Sequence, residues 1–204
     1  MKALPKQTFF NLPIDKKNTL IRAVKEEFSR TSLAEASVTN IVTRANIPRG
    51  SFYQYFEDKE DAYFYILSKF TEQMNNQFIE LLKECAGDLF ETMVQFFQFF
   101  IQDQEHFDLL KHAFLNLNYK IEHAFSTTFM KQGQYNSTQL IQLLKTEYLN
   151  FSTEKEFVHL MKILTSVTIR NFIEKFAQDL SNAEALENYK LEIKLLRDGL
   201  AKPI

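Results

Sequence analysis

Glycine, proline and tryptophan are scarce in this chain of 204 residues, which contains four Gly, four Pro and no Trp. So few turn-forming residues argue against a β-sandwich or any other fold built from many short strands and tight turns. The abundant Leu, Ile, Lys, Glu, Gln and Phe favour helices instead. The composition therefore predicts an all-α protein.

Cysteine and long apolar runs are also nearly absent. Cys85 is the only cysteine, so the chain has no intramolecular disulfide, and a reducing cytoplasm is the predicted location. Residues Lys2–Asn11 look polar and turn-prone, unlike the apolar centre of a signal peptide. The most apolar stretch, Met93–Ile101, is too short for the roughly 18 apolar residues of a membrane span, so we expect a soluble protein.

Residue types that carry out catalysis are few and scattered. The four histidines stand at positions 106, 112, 123 and 159. They form no His-x-x-x-His pair and no Glu-x-x-His repeat, and the chain has no Cys cluster. The sequence therefore predicts no catalytic residue, no metal site and no cofactor, and it argues against an enzyme.

Charge is unevenly distributed along the chain. The formal net charge is −2, but residues 1–60 carry ten Lys and Arg against seven Asp and Glu, and residues 61–204 carry fourteen against nineteen. No acidic residue lies between Ala36 and Phe56, a stretch that contains Arg44 and Arg49. An anion such as a DNA phosphate meets no local repulsion there, although an excess this small also arises by chance.

Helical periodicity predicts three helices in the first quarter of the chain. The first is Asp15–Arg30, and the second is Val38–Ala45, with Ser37 at the position of an N-cap. After a short turn, Pro48 supplies a suitable backbone angle for a third helix, Arg49–Tyr55. Two short helices separated by a tight turn and supported by an earlier helix are typical of a helix-turn-helix.

A long fourth helix is predicted to start at a cap formed by Asp58 and Asp61 and to continue to about Leu81. Capping patterns recur farther along the chain and predict five or six more helices, at Asp88 with Glu91, Thr153 with Glu156, and Ser181 with Glu184. The last two helices are expected at about Glu154–Leu180 and Ala183–Gly199. We expect the small N-terminal domain, residues 1–62, to be joined rigidly by the fourth helix to a larger helical domain, residues 63–204.

The run from residue 47 to residue 61 resembles the signature of the tetracycline-repressor (TetR) family of bacterial transcription regulators. The resemblance covers about residues 15–65, and its matching residues in the signature are Gly50, Ser51, Phe52, Tyr53, Tyr55, Phe56 and Lys59. The chain departs from the family pattern in three places: it lacks a Gly in the connector after the first helix, it has Asn46 where a Gly is common, and it has Val42 where Ala is usual. Asn tolerates left-handed backbone angles, so Asn46 is a plausible substitute for Gly.

Several residues of the second and third helices have side chains suited to DNA. Arg49 offers a planar fork for phosphate or guanine, Gly50 permits close approach, and Gln54 can bond a base edge. Hydroxyl and ammonium groups suit the DNA backbone. The predicted DNA contacts are Ser37, Thr39, Asn40, Arg49, Gly50, Ser51, Tyr53, Gln54, Tyr55 and Lys59. Alternative roles remain open, because Phe52 and Phe56 suit the core, Tyr53 suits core or DNA, and Ser37 suits a helix cap.

Phenylalanine is common, at 21 residues, and it clusters in the larger domain. A helix that is apolar almost all round, as Leu89–Ile101 is, must be buried on several sides or line a cavity. An ordinary aromatic core explains this pattern, whereas the TetR resemblance implies an effector pocket and an apolar or aromatic small molecule. The predicted pocket residues are Phe96, Phe100, Phe107, Leu110, Phe114 and Phe129, and the polar residues that can orient a ligand are His106, His112, Asn116, Tyr119 and His123.

The last two predicted helices carry long apolar stripes that complete a core or form a two-fold interface. The family resemblance implies a homodimer built from these helices. Its predicted interface residues are Phe157, Leu160, Met161, Leu164, Phe172, Leu186, Tyr189 and Ile193.

The resemblance implies a mechanism as well as a fold. A ligand in the larger domain shifts the fourth helix, changes the spacing of the two recognition helices of a dimer and releases double-stranded operator DNA. We therefore expect a repressor, although activation is compatible with the same residues. A helical module that binds a lipid or a protein through its Phe-rich half, without DNA binding, is the alternative.

Overall fold

The computed structural model describes residues 5–126 and 137–199 of the chain. Within these ranges the secondary structure is helical and contains no strand, which confirms the predicted all-α class. The α-helices are α1 (Gln7–Phe10), α2 (Ile14–Arg30), α3 (Val38–Ala45), α4 (Arg49–Tyr55), α5 (Lys59–Glu84), α6 (Leu89–Gln102), α7 (Phe107–Leu115), α8 (Tyr119–Ser126), α9 (Ser137–Leu143), α10 (Glu154–Ala177) and α11 (Asn182–Asp198), and a short 3₁₀ turn spans Thr146–Tyr148.

The helix-turn-helix forms where the periodicity predicts it. Helices α3 and α4 have the predicted bounds. Asn46 between them has a left-handed backbone with φ 51° and ψ 49°, the conformation that Asn tolerates better than other non-Gly residues. The predicted side-chain caps are also confirmed at Asp88, Thr153 and Ser181, which each accept a hydrogen bond from the backbone N–H three residues later.

The first residues of the chain are not the simple polar stretch that the sequence suggests. Gln7–Phe10 form the short helix α1, and the Phe9 side chain is fully buried. Later in the chain, helix α10 also differs from the prediction, because it ends at Ala177 and not at the predicted Leu180. Asp179 there has a positive φ of 52°, and the Lys175 ammonium donates to the Leu180 carbonyl, so the chain turns instead of continuing the helix.

The chain divides into two compact units. Of the described residues, one unit comprises 5–70 and 105–116, and the other comprises 71–104, 117–126 and 137–199. The first part of α5 belongs to the first unit and its remainder to the second, whereas α7 belongs to the first unit. The functional boundary at residue 62 stays a prediction.

The first unit has an aromatic core beneath α3 and α4. Phe28 of α2 meets Tyr63 of α5 with a ring-centroid distance of 4.9 Å. Phe52 and Phe56 are fully buried, with their centroids 5.4 Å apart. The core interpretation of these two Phe residues is therefore confirmed. Helix α2 packs against both α3 and α7. This packing fixes α3, the first helix of the helix-turn-helix, to α2.

The second unit is built around α6, α10 and α11. The Phe97 ring of α6 lies 4.8 Å from Phe172 of α10 and 4.3 Å from Tyr189 of α11. The buried Tyr189 hydroxyl is 2.7 Å from Thr168 Oγ1, so its polar group is satisfied inside the core. Among the described helices, none combines the length and the apolar character needed to cross a bilayer.

Candidate nucleic-acid interface

An exposed cluster spans the two helices of the helix-turn-helix. Arg49, at the start of α4, donates from Nη1 to Thr39 Oγ1 of α3 at 2.7 Å and from Nη2 to the Tyr53 hydroxyl at 3.3 Å. The guanidinium carbon also lies 5.9 Å from the centre of the Tyr53 ring. We call Thr39, Arg49 and Tyr53 the arginine cluster. All three are predicted DNA contacts, and the structure brings them together on the surface.

The arginine cluster holds its guanidinium in a defined place while leaving it in water. Tyr53 is 40% exposed, and its ring and hydroxyl both contact the Arg49 side chain. Because Arg has five N–H donors in a rigid fork, two hydrogen bonds to neighbours leave donors for an incoming anion or base. The cluster is therefore organised before any ligand arrives, which lowers the entropy lost on binding.

The space around Gly50 is open. Apart from its two neighbours and the backbone of its own helix, a Cβ built on Gly50 meets no described atom within 4 Å, so packing against a neighbouring helix does not account for glycine here. Gln54, one turn later on the same short helix, is also exposed, and Ser51 is half-buried. This part of α4 therefore presents an exposed stretch of backbone beside a side chain that can read bases.

A buried carboxylate joins the end of α2 to the start of α3. Glu27 is fully buried in α2 and accepts hydrogen bonds from the Ser37 backbone N–H at 2.9 Å and from Asn40 Nδ2 at 3.0 Å. Arg30 donates to both carboxylate oxygens of Glu27, at 3.2 and 2.8 Å. We call this arrangement the Glu27 clamp.

The ionised form of Glu27 is favoured. Burial alone raises the pKa of this carboxyl group, but the hydrogen bonds from Arg30, Ser37 and Asn40, together with the positive charge of Arg30, lower it further than burial raises it. The net pKa of Glu27 lies below its ordinary value. A carboxylate at the N-terminus of α3 also interacts favourably with the helix dipole.

The Glu27 clamp corrects the expected role of Ser37. Ser37 is the N-cap residue of α3, as predicted, but its hydroxyl makes no capping hydrogen bond. Glu27 instead accepts a hydrogen bond from the backbone N–H of Ser37 itself, and the Asn40 side-chain amide donates to the same carboxylate. The sequence contains one signal for this arrangement, because Glu27 stands among the apolar positions of α2, where a solvated carboxylate is out of place.

Lys59 supports the connector between α2 and α3. Its ammonium donates to the carbonyl oxygens of Ala34 at 2.7 Å and Ala36 at 3.1 Å. An ammonium has three N–H donors, so a phosphate contact by Lys59 remains compatible with this geometry. Tyr55, which is also a predicted contact, is half-buried at the end of α4.

The predicted effector residues lie in both compact units. Phe96 and Phe100 of α6 belong to the second unit, and Phe107, Leu110 and Phe114 of α7 belong to the first. The rings of Phe96 and Phe100 are buried, with centroids 4.8 Å apart, as in an ordinary aromatic core. Phe129 lies outside the described residues.

The polar groups proposed to orient a ligand differ in their surroundings. His106 is buried in the first unit, where Nε2 lies 3.5 Å from Lys25 Nζ and the ring lies 4.9 Å from Phe70. Asn116 Nδ2 donates to the His112 carbonyl at 2.9 Å. Tyr119 and His123 stack on each other on the surface, with ring centroids 5.9 Å apart. His106, Asn116, Tyr119 and His123 thus have contacts within the chain, and a role of these residues or of His112 in orienting a ligand stays a prediction.

Most of the predicted dimer residues are buried within the protomer. Phe157, Met161, Leu164, Phe172, Tyr189 and Ile193 are at most 3% exposed, whereas Leu160 and Leu186 are intermediate. The large apolar side chains that α10 and α11 expose to solvent are Ile163, Leu191 and Leu195. We call these three residues the exposed apolar face. Periodicity finds the apolar stripes of both helices but does not distinguish the residues that the protomer buries.

Two family models match the chain and together account for most of it. Residues 20–64 match the model described as bacterial regulatory proteins of the tetR family. Residues 88–200, more than half of the chain, match the model described as a tetracyclin repressor-like C-terminal domain. No curated protein sequence matches the chain.

Solved structures of similar fold come from several bacteria. A tetR-family transcriptional regulator from Streptomyces coelicolor has a TM-score of 0.63 at 16% identity and covers 91% of this chain and 81% of its own. The reduced form of NemR from E. coli has a TM-score of 0.61 at 17% identity, and the match covers 88% of this chain and 96% of the NemR chain. A TetR transcriptional regulator from Rhodococcus sp. RHA1 has a TM-score of 0.55 at 12% identity, with 91% and 97% covered. At these identities the similarity is one of fold.

Proposed function

The chain belongs to the tetR family of bacterial regulatory proteins and is a transcriptional regulator, and from this premise we propose that it is a dimeric repressor of transcription. It binds double-stranded operator DNA through α3 and α4, and an apolar or aromatic small molecule releases it. This is a binding function rather than a catalytic one. Because operator DNA is the target, the cytoplasm is the place where the protein acts.

The observation that carries this proposal is the arginine cluster. Its guanidinium is exposed, held by Thr39 and Tyr53, and adjacent to the open backbone at Gly50. Arg reads guanine or phosphate through two parallel hydrogen bonds, and Gln54 on the same helix offers both a donor and an acceptor to a base edge. Ser51, Tyr55 and Lys59 complete the proposed contact surface, while Ser37 and Asn40 support it through the Glu27 clamp.

The proposed effector site is the Phe-rich part of the larger domain. Rings such as those of Phe96 and Phe100 present apolar faces, so a ligand that replaces ring–ring contacts there is itself apolar or aromatic. Helix α5 is one continuous helix whose first part belongs to the unit that carries α3 and α4. A shift of its second part therefore provides a route to operator release, for which a coupling free energy of about 1–3 kcal/mol is sufficient.

The proposed dimer uses the exposed apolar face of α10 and α11, together with the predicted interface residues Leu160 and Leu186 on the same two helices. Exposed Ile and Leu side chains on two adjacent helices favour association with an identical surface. A two-fold dimer presents two copies of α4 to a pseudo-palindromic operator, with half-sites about 34–36 Å apart or a multiple of that distance.

The direct test is selection of bound sequences from a random double-stranded DNA library by the purified full-length protein, followed by a salt titration on the selected duplex. The proposal predicts an inverted-repeat sequence bound with an affinity that falls steeply as salt increases. Failure to enrich any sequence, with weak binding at low salt as well, contradicts it. That result would favour the helical module that binds a lipid or a protein without DNA.

A further inference from the structure

The carbonyl end of the recognition helix α4 is bound by residues from the beginning of the chain. The Lys6 backbone N–H donates to the Tyr55 carbonyl at 2.8 Å, and the Lys6 ammonium donates to the Tyr53 carbonyl at 2.9 Å. The Thr8 hydroxyl donates to the Gln54 carbonyl. These three bonds join residues more than 40 positions apart in the sequence.

These bonds complete the hydrogen bonding of the last turn of α4. The last four carbonyl groups of an α-helix accept no hydrogen bond from an N–H group within the helix. In α4 they are those of Phe52, Tyr53, Gln54 and Tyr55; the Phe56 N–H serves the first at 2.9 Å, and Lys6 and Thr8 serve the other three. A helix of seven residues gains little stability from its own hydrogen bonds, so its last turn depends on such partners.

The segment that supplies these bonds is itself anchored. The fully buried Phe9 ring lies 5.2 Å from Phe56 and 5.1 Å from Tyr65 of α5. Lys17 of α2 donates to the Phe10 carbonyl at 3.1 Å, with its ammonium 5.7 Å from the centre of the Phe9 ring. Lys6 also forms an ion pair with Glu57 at 2.8 Å. The segment is therefore fixed to helices on both sides of α4.

We propose that Lys6 and Thr8 are positioning residues that hold the last turn of α4 in the orientation needed to read DNA. They act through the backbone of Tyr53, Gln54 and Tyr55, whose side chains contact DNA in the function proposed above, and the inference rests on that function. We call the three hydrogen bonds that Lys6 and Thr8 make to these carbonyl groups the brace. Loss of the brace lets this turn unwind in the free protein, so specific binding must order it again. Non-specific binding to phosphates needs no such order and is affected less.

Thr8→Val provides the cleanest test because it removes the hydroxyl bond without changing charge. Its affinity for the duplex selected by the wild-type protein should fall by about 3- to 10-fold, the effect of one net hydrogen bond. Its affinity for a scrambled duplex at the same salt concentration should stay within about twofold. Thr8→Ser restores the hydroxyl and should restore the ratio of the two affinities. Gln7→Ala, an exposed neighbour in α1, is the matched control and should leave the ratio unchanged.

Hydrogen exchange in the free protein tests the same brace without DNA. In Thr8→Val, amide exchange should accelerate in the last turn of α4 and remain unchanged in α3. An unchanged ratio of specific to scrambled affinity, or an equal loss on both duplexes, overturns the inference. Unchanged exchange in α4 also overturns it. If the wild-type protein selects no sequence, the proposed function fails. If the wild-type protein selects a sequence and Thr8→Val has the same ratio of affinities as the wild type, the inference about Lys6 and Thr8 fails and the proposed function stands.

Discussion

Position 50 separates the requirements of folding from those of DNA binding. Gly lowers helix stability relative to Ala, and a Cβ built on Gly50 has no described atom within 4 Å apart from its two neighbours and the backbone of its own helix. Gly50→Ala should therefore raise the free energy of unfolding by up to about 1 kcal/mol. If DNA approaches this backbone closely, the same methyl group should weaken specific binding. Chemical denaturation and equilibrium binding to the selected duplex measure the two effects.

The two measurements on Gly50→Ala have a clear contrary outcome. Higher stability with unchanged affinity for the selected duplex would remove Gly50 from the DNA contacts. Lower stability would mean that the space around residue 50 is occupied in the folded protein.

At the scale of helices, the Glu27 clamp fixes α3 to α2 through partly buried hydrogen bonds to a fully buried carboxylate. Glu27→Gln removes the charge and leaves a donor amide facing Arg30, so the free energy of unfolding should fall by about 1.5–3 kcal/mol at neutral pH. The pKa of Glu27 is lowered in the folded protein from an ordinary value of 4.5, so the clamp contributes fully above about pH 4.5. This contribution is lost as the pH falls through the lower pKa of the folded state.

The difference in stability between wild type and Glu27→Gln should therefore narrow as the pH is lowered below about 4.5. Denaturation curves recorded across pH measure this difference. Glu26→Gln is the matched control on the same helix, because Glu26 is exposed and pairs with Arg44 on the surface at 3.3 Å; it should change the free energy by less than about 1 kcal/mol. If the difference in free energy of unfolding between wild type and Glu27→Gln is constant from neutral to acidic pH, ionised Glu27 does not join the two helices.

Local sequence predicts the features that neighbouring residues determine better than those that depend on residues distant in the sequence. Asn46 and Pro48 are sufficient to predict where α3 ends and α4 begins, because backbone angles at these residues are set locally. The short helix α1 is missed because the burial of Phe9 depends on Phe56 and Tyr65, which are distant in sequence. The carboxylate that binds the Ser37 backbone N–H likewise comes from another helix. Such long-range partners are not visible in a local pattern.

The sequence predicts which residues are candidate DNA contacts, but it does not predict how those residues contact one another. The type and spacing of Thr39, Arg49 and Tyr53 predict exposed polar groups, but only the fold shows that Arg49 bonds both of the others. The effector and dimer residues are harder to assign, because an apolar stripe indicates burial without saying whether the protomer, a ligand or a partner covers it.

At the scale of the whole molecule, dimerisation through α10 and α11 makes a specific prediction. Leu191→Glu/Leu195→Glu places two carboxylates on the exposed apolar face without opening the protomer core, since both leucines are about half exposed, at 58% and 46%. Light scattering should show a dimer for the wild type and a monomer for the variant. Binding to the selected inverted repeat should weaken as well, because two half-sites no longer engage together.

Lys190→Glu is the matched control for the dimer prediction. It changes charge at an exposed position about 100° around the same helix from Leu191, and the dimer should persist. A dimeric Leu191→Glu/Leu195→Glu variant would place the interface elsewhere.

The central claim, that the arginine cluster reads operator DNA, is tested most directly by the affinities of Arg49→Ala and Arg44→Ala for the selected and the scrambled duplex at one salt concentration. Both variants lose one positive charge on the helix-turn-helix, but Arg44 faces Glu26 of α2, whereas Arg49 lies in the cluster. Arg49→Ala should lose about tenfold or more on the selected duplex and much less on the scrambled one, and Arg44→Ala should lose a similar small amount on both. Equal losses by the two variants on the selected duplex would contradict the claim, because charge alone would then account for binding.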